Sequence, residues 1–165
     1  MNVATVLPAA VPLAQALETT APARWLQQSM WAYPVVSALH LVAIALLLGA
    51  ITVVDARLLG FARQVPVVHV ARSAWPFAVA GVVLALVTGP LLFIVQPGDY
   101  LVNPAFFWKL LLLIAAFANV AWFHLRFASA LRAEREPTAG VRSVAALSIA
   151  LWLAVLFAGR MIAFV

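Results

Sequence analysis

Residues Trp31 to Gly60 read WAYPVVSALHLVAIALLLGAITVVDARLLG. The stretch opens on aromatics, runs apolar from Val35 to Val54 apart from Ser37, His40 and Thr52, and closes on Asp55 and Arg57. An apolar helix needs about 20 residues, at ~1.5 Å each, to cross ~30 Å of hydrocarbon. Trp and Tyr gather where such a helix enters the interface. The stretch therefore reads as a membrane span with His40 well inside it. An ionisable group at that depth is costly unless it is solvated, paired or ligating, so His40 is the first candidate functional residue.

The composition agrees. In 165 residues, 67% are hydrophobic and 9% charged, more apolar side chain than one small soluble core can bury, so lipid must cover the excess. The net charge of +5 does not indicate nucleic acid, because the Arg residues lie in connections beside apolar runs, where positive charge sets membrane orientation. Without Cys there is no disulfide, thiolate metal site or cysteine nucleophile. A Gly-rich phosphate loop, an HExxH helix and a nucleophile elbow are also absent, so no catalytic activity of the chain on its own is expected.

Residues 1–29 form an N-terminal tail with a short surface helix, in which Leu13, Leu17, Trp25 and Leu26 touch lipid or the bundle. The tail lacks the basic start of a secretory signal and is expected to remain. Residues 30–165 form the membrane domain, with spans at about 31–56, 74–96, 104–127 and 143–163. Pro97-Gly98-Asp99 marks a turn, and Pro104 suits the first turn of a helix. Arg57, Arg63 and Arg72 lie in one long connection and Arg126, Arg132, Arg135 and Arg142 in the other, whereas the short loop holds no base. The positive-inside rule then predicts both long connections in the cytoplasm and both termini outside. The expected fold is all-α, an up-down four-helix bundle.

Rise per residue places the polar side chains by depth. His40 falls ~13 Å below the outer boundary, Lys109 ~8 Å, and Arg160 shallower. These three share the outer leaflet and are the candidate cofactor-binding residues, with His40 also the candidate metal ligand. His124 lies ~30 Å from that boundary, ~17 Å beyond His40, so the two are poor axial partners for one haem. A haem b on His40 alone, or a quinone headgroup, remains, with Lys109 and Arg160 stabilising propionates or a semiquinone anion. Against this stand plain readings: His40 hydrogen-bonded to a neighbouring hydroxyl or carbonyl, and Lys109 and Arg160 snorkelling to headgroups. Asp55 calls for a cationic partner among Arg57, Arg72 and Arg126. Asn119 and Ser148 read as interhelical glue, His69 and His124 as interfacial packing, and Thr88-Gly89-Pro90 as a kink. Trp108 and Trp152 are either cofactor flanks or anchors.

Together YPVVSALHL with LLLG, DARLLG, TGPLLF, NPAFFWKLLLL, NVAWFH and GRMIAF resemble a bacterial inner-membrane family of unknown function, from Trp25 onward. That resemblance implies a four-span fold and draws attention to His40, Asp55, Arg57, Lys109, His124 and Arg160 without assigning roles. The chain departs from the family in carrying Phe107 and Trp108 where a second basic residue often precedes the Lys. A looser likeness to b-type cytochromes and copper-resistance membrane proteins is one of fold. The leading expectation is a small subunit supporting electron transfer, with lipid and a periplasmic or membrane protein as partners. The alternatives are a transporter or accessory protein for protons, copper or small anions, and a structural anchor.

Overall fold

The computed structural model describes residues 11–132 and 137–164, with side chains omitted over 128–132. Among them seven helices form: α1 (Val11–Glu18), α2 (Ala21–Gln28), α3 (Ala32–Leu59), α4 (Val67–Phe93), α5 (Pro97–Val102), α6 (Pro104–Arg132) and α7 (Ala139–Met161). No described residue is in a strand. Helices α3, α4, α6 and α7 are long and apolar enough to cross a membrane. The chain is thus a multi-pass, all-α membrane protein. Its large apolar side chains, among them Leu41, Phe77, Leu86, Ile114 and Phe157, mostly face outward, where lipid covers them.

Local chemistry moves the predicted boundaries. The N-terminal segment makes two helices instead of one: the hydroxyls of Thr19 and Thr20 donate to the carbonyls of Ala16 and Leu17 and close α1, and Pro22 sits in the first turn of α2. The second span starts at Val67, before the apolar run, because Pro66 holds an extended conformation at the N-cap. Pro97, expected in a turn, opens the short helix α5. Asn103 caps α6 by accepting from Ala105 N–H at 2.9 Å, and its amide donates to Ile162 O at 2.9 Å, tying the start of α6 to the end of α7. At the other end of the bundle, Gly60 closes α3 with φ 112°, while Phe61 N–H bonds to Ala56 O at 3.0 Å. The two ends are called below the Trp31 end and the Arg57 end.

The four spans associate as two pairs. α3 packs closely on α4 and α6 on α7; α3 also touches α7, but α4 and α6 barely meet. Of the glycines, Gly81 meets its neighbour most closely: an added Cβ there would lie 2.7 Å from Leu47 N and 2.8 Å from Ala43 O. In lipid, helix association rests on such close backbone approach, which only small residues permit. The buried side of α4 is Val67, Ala74, Gly81 and Thr88, and Val36, Ala43, Ala50 and Arg57 lie buried along α3. Each stripe repeats every seven residues, which keeps one seam between helices crossing at a shallow angle. Moving seven residues forward on α4 moves seven back on α3, so the contact after Gly81 with Leu47 is Thr88 with His40.

Gly81→Ala is expected to destabilise the bundle by about 1–3 kcal/mol, because backbone atoms cannot yield to the added carbon. Gly49, with nothing within 4 Å of its added Cβ, should accept Ala without loss. Thermal unfolding of the two variants in one detergent measures the contrast.

Candidate functional site

Near the Trp31 end all four spans contribute to one polar level. His40 of α3 places Nδ1 2.7 Å from Thr88 Oγ1 of α4, and Thr88 is almost wholly buried. The Thr88 hydroxyl donates to Leu84 O at 2.7 Å, one turn back in its own helix. A hydroxyl carries one proton, so toward the imidazole it can only accept. His40 therefore donates from Nδ1, and in the neutral ring the lone pair lies on Nε2. Beside the ring is Gly89, whose added Cβ would stand 3.5 Å from His40 Cε1. Thr88-Gly89-Pro90 is thus the wall against which the imidazole is set, inside a helix that continues to Phe93.

Lys109 of α6 lies across Gly159 of α7, whose added Cβ would be 3.6 Å from Lys109 Cδ and 3.7 Å from Nζ. It is partly buried, within electrostatic reach of His40. No hydrogen bond or ion pair to Lys109 occurs among the described residues. The structure thus brings His40 and Lys109 to one level. Arg160 does not join them: it is exposed, with its guanidinium carbon 4.7 Å from the centroid of the Phe164 ring. That is the snorkelling geometry of a cation at the rim.

The polar residues of the Arg57 end separate into different roles. Arg57 is buried and donates from Nε to Val65 O at 2.5 Å and from Nη2 to Arg63 O at 3.0 Å, holding the loop after α3. The expected pairing of Asp55 with a cation is replaced by Ser148 of α7, within hydrogen-bonding reach of the carboxyl, while Arg72 and Arg126 are exposed. Asn119 bonds to Val144 O at 3.3 Å, the interhelical role its position suggested. His124 is exposed and bonds through Nδ1 to Val120 O of its own helix at 2.8 Å. His69, also exposed, lines a groove between α3 and α4, whereas His124 lines the α4–α6 seam. Trp108 faces outward, and Trp152 is buried against Phe117 with ring centroids 5.4 Å apart.

Sequence reasoning noted Thr88 only as part of a kink and passed over Gly159. The seven-residue recurrence through Ala74, Gly81 and Thr88 is the signal that would have put Thr88 on the α3 seam. Compared with protein-family models, curated proteins and solved structures, the chain matches none, so the resemblance described above rests on its motifs.

Chemically, the level offers an acceptor nitrogen held in a fixed tautomer and an ammonium group with three donors. Its complement is a ligand that presents a hydrogen-bond donor or a Lewis acid to the imidazole and a carbonyl or anionic oxygen to the lysine. Thr88→Val should remove the tautomer lock and cost about 0.6–1.7 kcal/mol, while Thr88→Ser should keep both. Nitrogen NMR of His40 in the two variants distinguishes a ring protonated on Nδ1 from one sharing the proton between its nitrogens.

Proposed function

We propose that the chain is a small subunit of the bacterial inner membrane that supports electron transfer by holding a quinone headgroup at the His40–Lys109 level. The observation that carries this reading is the Leu84–Thr88–His40 hydrogen-bond chain, which leaves Nε2 as an acceptor within electrostatic reach of a lysine that has no anionic partner among the described residues. A quinone carbonyl would take a Lys109 N–H, and a quinol hydroxyl would donate to Nε2; Lys109 would stabilise a bound anionic oxygen. Arg160 would serve the rim, toward a periplasmic or membrane partner that carries the redox centre. The chain itself contributes binding and orientation.

Haem is less well served. The chain has three His, and His69 and His124 line other surfaces, so an iron at this level would have one imidazole ligand from this chain. The close α3–α4 contact at Gly81 also leaves no slot between those helices for a macrocycle on that side. A copper path is not favoured either: no group of three His, Cys, Asp or Glu comes together among the described residues. In orientation, the Arg-rich connections would face the cytoplasm and both termini the periplasm.

Two experiments test the reading. Protein purified in nanodiscs is expected to carry extractable quinone and to bind a short-tailed quinol, with His40→Ala and Lys109→Met each weakening binding about tenfold, roughly one hydrogen bond. Arg160→Ala should change it little. Absence of quinone and of binding, or binding indifferent to both variants, refutes the proposal; a Soret band lost in His40→Ala would replace quinone by haem. Because the chain has no native Cys, single cysteines at Thr20 and Gln64 report sidedness: an impermeant maleimide added to intact spheroplasts should label the first and spare the second.

A further inference from the structure

The weak meeting of α4 and α6 leaves a lateral cleft of about 350 Å³ toward the Arg57 end. Ala78 and Val82 of α4 and Phe117 and Phe123 of α6 are among its walls, and its floor holds Asp55 of α3 and Trp152 of α7. Asp55 is 7% exposed and Trp152 3%. Asp55 Oδ2 and Trp152 Nε1 are both buried without a hydrogen-bond partner among the described residues. An unsatisfied buried polar group costs about 1–3 kcal/mol, and the hydrocarbon of a bilayer offers no water to relieve it.

The two orphaned atoms are of opposite sense, one an acceptor and the other a donor. A lipid acyl chain would fill the apolar volume and satisfy neither. Water would satisfy both, yet each water takes only ~30 Å³ and needs several polar partners, so water leaves most of this apolar space unfilled. The two atoms are also separated along the bundle. Ser148, which faces Asp55, lies four residues before Trp152 on α7, a rise of ~6 Å. An acceptor and a donor at different levels of one apolar cleft suit a ring that carries an oxygen at each end, and the aromatic walls suit the ring faces. The seam opens sideways between α4 and α6, so an attached hydrocarbon tail would leave directly into lipid.

We infer that this cleft is a second ligand site, which takes the hydroquinone class of lipid-phase molecule. One ring hydroxyl donates to Asp55 Oδ2, the opposite oxygen accepts from Trp152 Nε1–H, and the tail passes between α4 and α6. The inference does not rest on the His40 reading, since it uses different residues in the other half of the bundle.

The test is uptake of a short-tailed hydroquinone by the full chain in nanodiscs, kept reduced, by equilibrium dialysis. Asp55→Leu removes the acceptor and Trp152→Phe the donor while keeping apolar bulk; each is expected to weaken binding at the cleft about tenfold, leaving the uptake by the His40 level. Ala78→Trp fills the cleft without touching either group and should abolish the Asp55-dependent uptake with unfolding temperature retained, which separates blockage from misfolding. In His40→Ala the Asp55-dependent portion should persist, so failure here and failure of the outer site are read separately. Equal uptake by the wild type, Asp55→Leu and Ala78→Trp overturns the inference, as does uptake lost only in His40→Ala. Displacement of the hydroquinone by an equal amount of diacylglycerol would assign the cleft to lipid alcohols at large and overturn the ring assignment.

Discussion

Gly81 of α4 lies against the backbone of Ala43 and Leu47 on α3, closer than any side chain would allow. In a bilayer the usual hydrophobic drive between helices is absent, because lipid tails are as apolar as the side chains they would replace. A backbone contact of this kind therefore sets which faces of α3 and α4 meet and in what register. One heptad along, the same register brings Thr88 to His40. The close bond between these two spans also helps explain what is loose elsewhere. α4 is drawn to α3, α6 to α7 through Phe117 on Trp152 and Asn119 on the Val144 carbonyl, and the seam between α4 and α6 stays open.

The bundle interior consequently carries two polar levels. Toward the Trp31 end are His40, Thr88 and Lys109; toward the Arg57 end are Asp55, Asn119 and Ser148. Between them lies an apolar layer of Leu47, Ala116, Trp152 and Val155. Polar side chains at the rims behave differently. Arg160 reaches outward over an aromatic ring, and His69 and His124 are exposed. The distinction follows from solvent: a group at a rim can be hydrated, whereas a group within the hydrocarbon must find its partner in the protein or in a ligand. Lys109 at one level and Asp55 Oδ2 at the other lack a partner among the described residues, as does Trp152 Nε1 between them.

Much of this was legible in the chain, and the exceptions share a cause. The apolar runs located four spans, and the matching depths of His40 and Lys109 put them at one level because helical rise is constant. The same arithmetic could not distinguish Lys109 from Arg160. One turns inward across Gly159, where no side chain obstructs its stem; the other, the very next position on α7, turns out to Phe164. Depth is an axial coordinate, and facing is an angular one that depends on which neighbour each helix presents. Asp55 was misjudged for a related reason. Its nearest cation in sequence, Arg57, is turned to the carbonyls of Arg63 and Val65, whose positions depend on how the chain turns after Gly60.

By itself the sequence determined that the chain crosses the bilayer with four apolar helices, since length and transfer energy are properties of each segment alone. It also determined the axial order of the polar groups within them. Only the tertiary structure decided which groups share an interior, that Thr88 holds the imidazole, that Arg57 serves a loop and that a cleft opens over Asp55 and Trp152. Those outcomes depend on rotation and separation of whole helices, which in lipid are governed by a few close contacts such as Gly81 on α3 and leave only a weak trace in any single segment.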